Sequence, residues 1–409
     1  MCKGNHRRMT LAASPCLHIE RYPSPQQSLR VSVVTETYPP EVNGVAITVD
    51  RLVRGLQARN HDIQVIRPRQ DAGDRHDASE GLEQVLMRGL PIPRYPHLRM
   101  GLPAKKALLK LWTLRRPDLV HIATEGPLGW SALQAARKLK LPISSDFRTN
   151  FHAYSRHYGA GWLHKPISAY LRKFHNTAHC TMVPTPGLQA ELDAMGFERL
   201  RVVARGVDTQ RFHPAHRSDS LRASWGAGPD DLVVLSVGRL AAEKNLALLI
   251  KAFEAMQAIN PKVKLVVVGD GPERHALQTR CPPAILAGSR RDADLATHYA
   301  SADVFLFPSL TETYGNVTPE ALASGLAVVA FDYAAAAELI RHGHNGLLVP
   351  VGDAEAFIRR AQDLAAQPTL VRHLREGARH TTQSLDWAVI VTQVEAIWMQ
   401  LMHPKAMVV

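Results

Sequence analysis

The amino-acid sequence predicts an α/β protein with two Rossmann-like, doubly wound lobes that face each other across a cleft. At 409 residues the chain is longer than one ordinary hydrophobic core holds, so two domains are expected. Two successive series of apolar, β-branched strands alternate with helices, which is typical of parallel sheets covered on both faces. A stretch rich in Pro, His, Ser and Arg at 209–226 separates the two series.

The domain boundaries follow from this alternation, since the chain shows no low-complexity tract and no fixed repeat. The predicted divisions are a loosely ordered tail at 1–29, an N-terminal lobe at 30–205, a linker at 206–226, a C-terminal lobe at 227–385, and a final helix with a tail at 386–409.

The first series opens with a buried strand at 30–36, RVSVVTE, which is apolar and β-branched. A loop with two prolines and Asn43-Gly44 follows, and Gly44 either lets a substrate approach the backbone closely or is a simple turn glycine. A polar surface segment is predicted at 71–84. The other predicted strands are 63–66, 118–122, 141–146, 181–184 and 200–204, and the helices are 45–59, 129–140 and 187–195.

The second series begins near residue 232 and repeats the same alternation. Each strand is a short apolar run that ends in a loop containing Gly or Pro, and a helix follows. Its strand-containing segments are VVLSVGRL, KLVVVGDGP, AILAGS, ADVFLFPS, AVVAFDY and GLLVPVGD, and the closing helix is predicted from Trp387 to about Met402.

The composition is that of a soluble globular protein, with 45% apolar and 21% charged residues. No apolar run approaches the roughly 18–20 residues that span a bilayer, and residues 1–29 lack the apolar segment of a secretory signal. The cysteines are scattered without paired spacing, which indicates a reducing cytosol rather than disulfides or a zinc ribbon. They are Cys2, Cys16, Cys180 and Cys281.

The net charge of +12 is unevenly distributed. Residues 1–205 hold 30 Lys and Arg against 16 Asp and Glu, a net of +14, whereas 206–409 hold 19 against 21, a net of −2. The asymmetry predicts that the first half meets nucleic acid, an anionic membrane surface or a phosphorylated acceptor, unless its surface is simply solvated. Because no aromatic RNA-binding motif or helix-turn-helix is present, we expect no nucleic acid as partner.

A basic amphipathic helix is predicted from Pro103 to Arg116. Such a helix can lie in a membrane interface, or it can pack its apolar side on the sheet as an ordinary domain helix. The two interpretations are compatible, because the basic face can touch headgroups while the apolar face stays buried. The apolar residues are Leu108, Leu109, Leu111, Trp112 and Leu114, and the basic ones are Lys105, Lys106, Lys110, Arg115 and Arg116.

The stretch 307–325, FPSLTETYGNVTPEALASG, is the strongest candidate for a binding site. A strand ends there, a polar loop with Gly315 follows, and Thr318 and Pro319 predict a helix start with a capping hydroxyl and Pro at the first position. Free N–H groups at a helix start attract anions. The helix start accounts for Glu320, whereas Glu312 in the loop needs a functional explanation.

Two cations, Arg239 and Lys244, flank a short loop just after a strand, where they can neutralise a diphosphate. The next strand ends at Gly269 and Gly271, a second close approach of backbone to ligand. The absence of GxGxxG and GxxxxGK[ST] motifs argues against a dinucleotide oxidoreductase and a P-loop nucleotidase.

Two further sequence patterns resemble metal sites, and we expect neither to bind metal. Asp292-Ala293-Asp294 is more typical of a helix cap. His175 and His179 beside Cys180 are more typical of a helix end. No metal site is therefore predicted.

Several ordered motifs together resemble family 4 retaining glycosyltransferases of the two-lobed GT-B type, over about residues 30–400. They are VTETYPPEVNGVAITV, RGVDTQRFHP, GRLAAEKN, VVVGDGPER and ETYGNVTPEALASG. The chain is most similar to the bacterial branch with GDP-mannose-dependent α-mannosyltransferases that act on lipid-linked acceptors, and to sulfolipid and glucuronosyl lipid synthases. The resemblance implies that the last helix crosses back to brace the first lobe.

The resemblance also implies roles for individual residues. Arg239 and Lys244 bind the diphosphate and stabilise the leaving nucleotide, Glu312 contacts donor-sugar hydroxyls, and Glu320 holds the ribose hydroxyls. The other implied donor contacts are Gly44 over the diphosphate and acceptor cleft, the backbone N–H groups of Asn316, Val317 and Thr318, and the segment Gly288, Ser289 and Arg290 beside the base.

A front-face mechanism with retention is widely favoured for such enzymes, so Glu312 is not assigned as a nucleophile. The family often has a His-Thr-Asn-Phe segment whose His reaches the donor sugar, but this chain has Arg148 at that position. Arg148 either meets an anionic group on the donor sugar or acceptor, or forms a structural ion pair. His152 and His157 are offset and are expected to shape the cleft or acceptor side.

The sequence therefore predicts a metal-independent retaining hexosyltransferase without a cofactor, peripheral on the cytoplasmic face of the cell membrane. Mannose from GDP-mannose and a lipid or glycolipid acceptor are the preferred substrates. The alternatives are a UDP-sugar-dependent glycolipid synthase that transfers glucosyl, glucuronosyl or sulfoquinovosyl groups, or a nucleotide-sugar epimerase of the same fold. An epimerase needs an acid/base set that is not evident in the sequence, and a non-catalytic sugar-nucleotide binder is disfavoured by the intact Arg239, Lys244, Glu312 and Glu320.

Overall fold

The computed structural model contains two parallel sheets, each at the centre of one lobe. It describes the chain except for residues 1–27, 42, 72, 75–81, 93–94, 149–163, 313 and 403–409. Most of the predicted tail, Cys2, Cys16, His152 and His157 thus lie outside the described residues. In the described part, every pair of neighbouring strands in the two large sheets is parallel.

The first sheet has seven strands in the order β3-β2-β1-β6-β7-β8-β9, which is a doubly wound arrangement. Its strands are β1 (Arg30–Val34), β2 (Asp62–Pro68), β3 (Leu82–Met87), β6 (Leu119–Ile122), β7 (Ile143–Asp146), β8 (Cys180–Val183) and β9 (Leu200–Val202). Its helices are α1 (Gly44–Gln57), α2 (Lys105–Leu114), α3 (Pro127–Lys138), α4 (His164–His175) and α5 (Pro186–Ala194).

Two elements of this lobe depart from the sequence prediction. Strand β3 begins inside the segment predicted as a polar excursion, at the edge of the sheet, where half-exposed Glu83 and Gln84 are tolerated. A separate antiparallel hairpin, β4 (Gly89–Ile92) and β5 (Tyr95–Gly101), was not predicted. Its prolines argue against strands in a sheet centre, but a two-stranded ribbon is all edge.

The second sheet has six strands in the order β12-β11-β10-β13-β14-β15. Its strands are β10 (Val233–Val237), β11 (Lys264–Val268), β12 (Ile285–Gly288), β13 (Val304–Phe307), β14 (Ala327–Phe331) and β15 (Gly346–Val349). Its helices are α6 (Asp219–Ser224), α7 (Leu246–Ile259), α8 (Arg274–Arg280), α9 (Asp292–Ser301), α10 (Val317–Ala323), α11 (Ala334–Leu339), α12 (Ala354–Ala366) and α13 (Pro368–Thr381). The two sheets confirm the predicted two-lobed architecture.

The chain crosses between the lobes twice, and the two crossings lie side by side. Val207 on the outgoing crossing pairs with Asp386 on the returning one, and the Val207 N–H donates to the Leu385 carbonyl at 2.9 Å. The ring of Trp387 lies against Gly206, where an added Cβ would come within 2.6 Å of the indole. A glycine is therefore what allows the two crossings to touch.

The last helix, α14 (Trp387–Met402), packs on the first lobe, as the resemblance implied. Its Val391 side chain would lie 2.5 Å from a Cβ added at Gly55 of α1, so the two helices are in close contact. Glu395 forms an ion pair with Arg59 and a hydrogen bond with His61, the latter at 3.1 Å. The last helix is thereby fixed to the first lobe, although the residues directly before it belong to the second.

Helix α2 buries one face and exposes a basic one. Leu108 and Trp112 are fully buried, and the Trp112 Nε1–H donates to Ser32 Oγ at 3.1 Å. The predicted packing on the sheet is confirmed for these two residues, but Leu114 is 79% exposed. Across the residues that the structure describes, no helix is long and apolar enough to cross a membrane.

Candidate functional site

The loop and helix at 308–323 lie at the carboxyl edge of the second sheet, where parallel sheets place their ligands. Helix α10 begins at Val317, so the prediction of Thr318 as cap and Pro319 as the first helical residue is wrong by about two positions. Thr318 is buried, and its N–H already donates to the Gly315 carbonyl at 3.0 Å. Gly315 has φ +87°, which allows the chain to turn into the helix at that point.

Glu312 and Lys244 come together across the loop as an ion pair, although 68 positions separate them. The Glu312 carboxylate also accepts a hydrogen bond from Ser309 Oγ at 2.8 Å, and the Lys244 ammonium lies 5.4 Å from the Phe307 ring centroid. Both side chains keep some exposed surface, 20% for Lys244 and 15% for Glu312. Lys244 is thus held at the sheet edge and remains accessible.

Arg239 is positioned by the short turn that follows β10. Its guanidinium forms an ion pair with Glu243, and 36% of the side chain stays exposed. Burial of Glu243 alone would raise its pKa, but the hydrogen bond and charge of Arg239 outweigh burial and lower it. The Glu243 carbonyl accepts the Leu310 N–H at 2.9 Å, so this turn is tied to the loop that carries Glu312.

Glu320 lies in the first turn of α10 and accepts a hydrogen bond from the Tyr299 hydroxyl at 2.9 Å. Desolvation by the surrounding protein raises the pKa of Glu320 to about 7, although the Tyr299 hydrogen bond and the charge of Arg211 act in the opposite direction. Near neutral pH this carboxyl group is therefore only partly ionised. A group of this kind responds to any ligand that donates hydrogen bonds to it.

Gly269 and Gly271 hold two strand-end loops together. A Cβ added at Gly269 would come within 1.8 Å of the Gly238 carbonyl oxygen, and one added at Gly271 within 2.4 Å of the Leu240 carbonyl oxygen. Gly269 also has φ +138°. Both glycines therefore have a packing reason, since they let the loop after β11 support the loop that carries Arg239.

Arg290 lies at the exposed end of this edge. Its Nε donates to the Ala287 carbonyl at 2.9 Å, and its guanidinium pairs with Asp294 at 3.1 Å. The sequence predicted that Asp292 caps a helix. In the structure Asp292 does not cap helix α9 and pairs with Arg211 at 2.8 Å. The cap prediction for Asp292 is therefore wrong, whereas the role of the segment around Arg290 beside the base stays a prediction.

From the first lobe, Gly44 faces the second lobe at the start of α1. The helix begins one residue earlier than predicted because Asn43 Oδ1 caps it, accepting the N–H groups of Val45 and Ala46 at 3.1 and 2.9 Å. A Cβ added at Gly44 would lie 3.4 Å from Asn316 Nδ2. Gly44 and the Asn316 side chain therefore lie close together across the cleft.

Arg148 follows β7 and forms an ion pair with Asp146, to which its Nε donates at 2.6 Å. His121 Nε2 contacts the same carboxylate at 3.2 Å. Burial alone would raise the pKa of Asp146, but the charges of Arg148 and His121 outweigh burial and hold it far below its usual range. The ion-pair alternative for Arg148 is thus present in the structure, and a role toward substrate remains a prediction.

Arg205 belongs to this site, and the sequence analysis did not assign it. It follows β9 and is 9% exposed, and its carbonyl accepts a hydrogen bond from the Tyr314 hydroxyl at 3.3 Å. Its guanidinium lies over the Tyr314 ring, 5.6 Å from the centroid. In the sequence Arg205 is the first residue of the motif RGVDTQRFHP, and this position does not reveal burial.

The two histidines beside Cys180 have other partners. His175 is fully buried between Glu125, at 3.3 Å, and Ser145, at 3.0 Å, and His179 accepts the Ile143 N–H at 3.0 Å. No group of three or more His, Cys, Asp or Glu residues within the described ranges is arranged to hold a metal ion.

Comparisons with known proteins find relatives over most of the chain. Residues 42–211 match the model of Glycosyltransferase Family 4, and residues 231–367 match that of Glycosyl transferases group 1. A GDP-mannose-dependent alpha-mannosyltransferase of Mycobacterium tuberculosis is 35% identical over 90% of this chain and 95% of its own length. The sulfoquinovosyl transferase SQD2 of Arabidopsis thaliana is 28% identical over 94% of this chain and 77% of its own.

Solved structures share the fold at low sequence identity. The sucrose-phosphate synthase from Thermosynechococcus elongatus superposes with a TM-score of 0.72 at 20% identity, covering 92% of this chain and all of that one. The likeness concerns the fold alone, and it extends over both lobes.

Proposed function

Because this chain belongs to glycosyltransferase family 4 and has the GT-B fold, we propose that it transfers mannose from GDP-mannose to a lipid or glycolipid acceptor, with retention of the anomeric configuration. The observation that carries the proposal is the cluster of Arg239, Lys244, Glu312 and Glu320 at one sheet edge, opposite Gly44. The choice of GDP-mannose rests on relatives of that name at 32–35% identity.

In this proposal Arg239 and Lys244 exchange part of their interaction with protein carboxylates for an interaction with the donor diphosphate. Both cations are accessible and both contact a carboxylate, so a diphosphate that arrives at the sheet edge competes with Glu243 and Glu312 for them. Cations that are already oriented toward developing charge stabilise the departing nucleotide without reorganisation. They supply the charge that a metal ion would otherwise supply, so the reaction proceeds without added metal.

Glu312 has two partners, Lys244 and Ser309, and is accessible enough to accept a hydroxyl group. We assign it to the donor-sugar hydroxyls and not to nucleophilic attack. In the front-face route the leaving phosphate oxygen takes the acceptor proton, and no protein carboxylate forms a glycosyl ester. Glu320, beside Tyr299, accepts hydrogen bonds from the ribose hydroxyls.

The proposed place of reaction is the cytoplasmic membrane surface. Helix α2 presents exposed Lys105, Lys106 and Lys110, with Leu114 exposed beside them. Basic residues of this kind are attracted to anionic headgroups, and an exposed leucine adds an apolar contact. One relative is named an alpha-monoglucosyldiacylglycerol synthase, and a glycolipid product in that name supports a lipid acceptor here.

A second candidate is transfer of an acidic sugar from a UDP-linked donor. Arg148 stands where related chains often have a histidine toward the donor sugar, and a guanidinium pairs well with a carboxylate or sulfonate. The sulfoquinovosyl transferase among the relatives gives this candidate its context.

A panel of GDP-, UDP- and ADP-sugars in a thermal-shift assay tests the donor. A ligand at 100 times its Kd stabilises the folded state by about 2.7 kcal/mol, so GDP-mannose should raise the melting temperature by several degrees. Stabilisation by UDP-sugars alone would favour the second candidate, and no stabilisation by any donor would contradict both. Product analysis by NMR then checks retention, and activity in EDTA checks independence of metal.

A further inference from the structure

The buried guanidinium of Arg205 lacks the partners that a buried charge needs. Its Nη1 makes one long hydrogen bond, 3.5 Å to Asn316 Oδ1. Its Nη2 is shielded from solvent and has no hydrogen-bond partner in the described part of the chain. Within the same part, Arg205 forms no ion pair, in contrast to Arg222, which is also buried and pairs with Asp303 at 3.1 Å.

The surroundings of Arg205 make this deficit larger. Burial and then the charge of Arg148 lower the pKa of Arg205 to about 10, against the weaker opposing effect of Asp146. Asp146 is already engaged by Arg148 and His121, so one carboxylate faces two arginines. A buried charge without a counter-charge is costly, and buried charges in proteins are as a rule paired.

Arg205 also lies at the boundary between the two lobes. With Asp146 and Arg148 it forms the charged part of a cavity of about 30 Å³ at the carboxyl edge of the first sheet. The other walls are mostly apolar side chains of the first lobe and α14, and the cavity has room for one oxygen-sized group. Its two contacts in the second lobe, Tyr314 and Asn316, flank Gly315 in the loop that carries Glu312. An anion on that loop is therefore within reach of Arg205.

We propose that Arg205, together with Arg148, forms a second oxyanion site at the lobe junction and binds an oxyanion of the nucleotide-sugar donor. The site is separate from Arg239 and Lys244, and it rests on the proposed function, since it presumes that a nucleotide sugar binds in the cleft. The oxyanion belongs either to the donor diphosphate or to an acidic group on the donor sugar. When it binds, it supplies the counter-charge that Arg205 lacks and replaces the long contact to Asn316.

The test compares Arg205→Gln and Arg205→Lys with the matched variant Arg51→Gln. Arg51 is another arginine at the junction, but it has its own carboxylate, Asp208, at 2.9 Å. Arg205→Gln removes an uncompensated charge, so the ligand-free variant should melt at or above the temperature of the unmodified protein. Its affinity for the donor should fall at least tenfold by calorimetry, and Arg205→Lys should recover part of the loss. Arg51→Gln should leave donor affinity unchanged.

The ligands identify the source of the oxyanion. An equal loss of affinity for GDP and GDP-mannose assigns the site to the diphosphate, whereas a loss confined to an acidic-sugar nucleotide such as UDP-glucuronate assigns it to the sugar. A loss of donor affinity smaller than tenfold in Arg205→Gln overturns the proposal, and a buried water or an acceptor phosphate is then the partner. If the unmodified protein binds no nucleotide sugar, the proposed function fails instead, so the two failures are distinguishable.

Discussion

The cations of the second lobe and those of helix α2 carry the same charge in opposite settings. Arg239 and Lys244 each contact a carboxylate at a sheet edge. Lys105, Lys106 and Lys110 are exposed on a helix surface and, among the described residues, form no ion pair. The residues 1–205 that contain these lysines have a net charge of +14, whereas 206–409, which contain the candidate donor site, have −2.

The difference shows that net charge and oriented charge are separate properties. A solvated lysine attracts anions from any direction and is screened by salt over roughly 10 Å. A cation held by a neighbouring carboxylate has a fixed position. A ligand that displaces the carboxylate therefore binds a side chain whose conformation is already ordered. The near-neutral lobe is therefore the better candidate for chemistry, and the basic lobe for attraction to a surface.

The largest effect is expected from Lys244→Ala. Removing one oriented cation from a developing charge typically costs 10²–10³-fold in kcat, so turnover should fall by about that factor. Lys106→Ala, on the exposed face of α2, is the matched control and should leave turnover on a water-soluble acceptor unchanged. If both variants lost activity equally, the distinction between the two settings would be wrong.

Gly269→Ala tests the support beneath Arg239. The added Cβ would come within 1.8 Å of the Gly238 carbonyl oxygen, at a φ of +138°, so we expect a loss of about 3 kcal/mol or more in the free energy of unfolding. Gly343→Ala is the control, because Gly343 has φ +78° and nothing within 4 Å of its added Cβ. It should cost only about 1 kcal/mol. Urea titration of the two variants measures the difference, and equal losses would show that backbone conformation alone explains Gly269.

The pKa of Glu320, about 7, predicts a pH-dependent donor affinity. Ribose hydroxyls donate hydrogen bonds, and the ionised carboxylate accepts them better than the protonated acid. The KM for the donor should therefore fall, by up to about tenfold, as pH rises from 6 to 8. Glu320→Gln should remove most of this dependence while raising KM. A profile that is unchanged in Glu320→Gln would assign the titration to another group.

The smallest effect on turnover is expected from replacing Lys105, Lys106 and Lys110 together by Gln. Binding to anionic vesicles should weaken by about 1 kcal/mol per lysine and should also decrease with salt. Turnover on a detergent-solubilised acceptor should not change. Sedimentation with anionic and neutral vesicles measures the first, and binding that ignores lipid charge would rule out the proposed basic face.

Much of the fold was predictable because its core strands are short apolar runs. The strand at 118–122 appears as Leu119–Ile122, and the helix predicted from Trp387 to about Met402 appears with those bounds. Strand β3 and the hairpin β4–β5 were not predictable from pattern, because edge strands and ribbons tolerate Glu, Gln and Pro. In such elements burial does not impose an apolar alternation.

The candidate site, like the fold, was predictable from the sequence only in part. Arg239, Lys244 and Glu312 were predicted as site residues because they lie in or beside loops that follow strands, and Glu320 because it lies at the helix start after the same loop. The pairing of Lys244 with Glu312 was not, since it joins residues 68 positions apart. Arg205 was missed because a sequence records that a residue is arginine, and not that its guanidinium is buried without a counter-charge.

The adjacency of the two crossings at Val207 and Asp386 predicts the point about which the lobes would rotate. Two connections that lie side by side act as a single pivot, and we expect the lobes to rotate about it as rigid bodies. The cleft then opens most at the edge far from the pivot, and rotation requires little change in either core. Because α14 returns to the first lobe beside this pivot, we expect α14 to move with the first lobe and against the second.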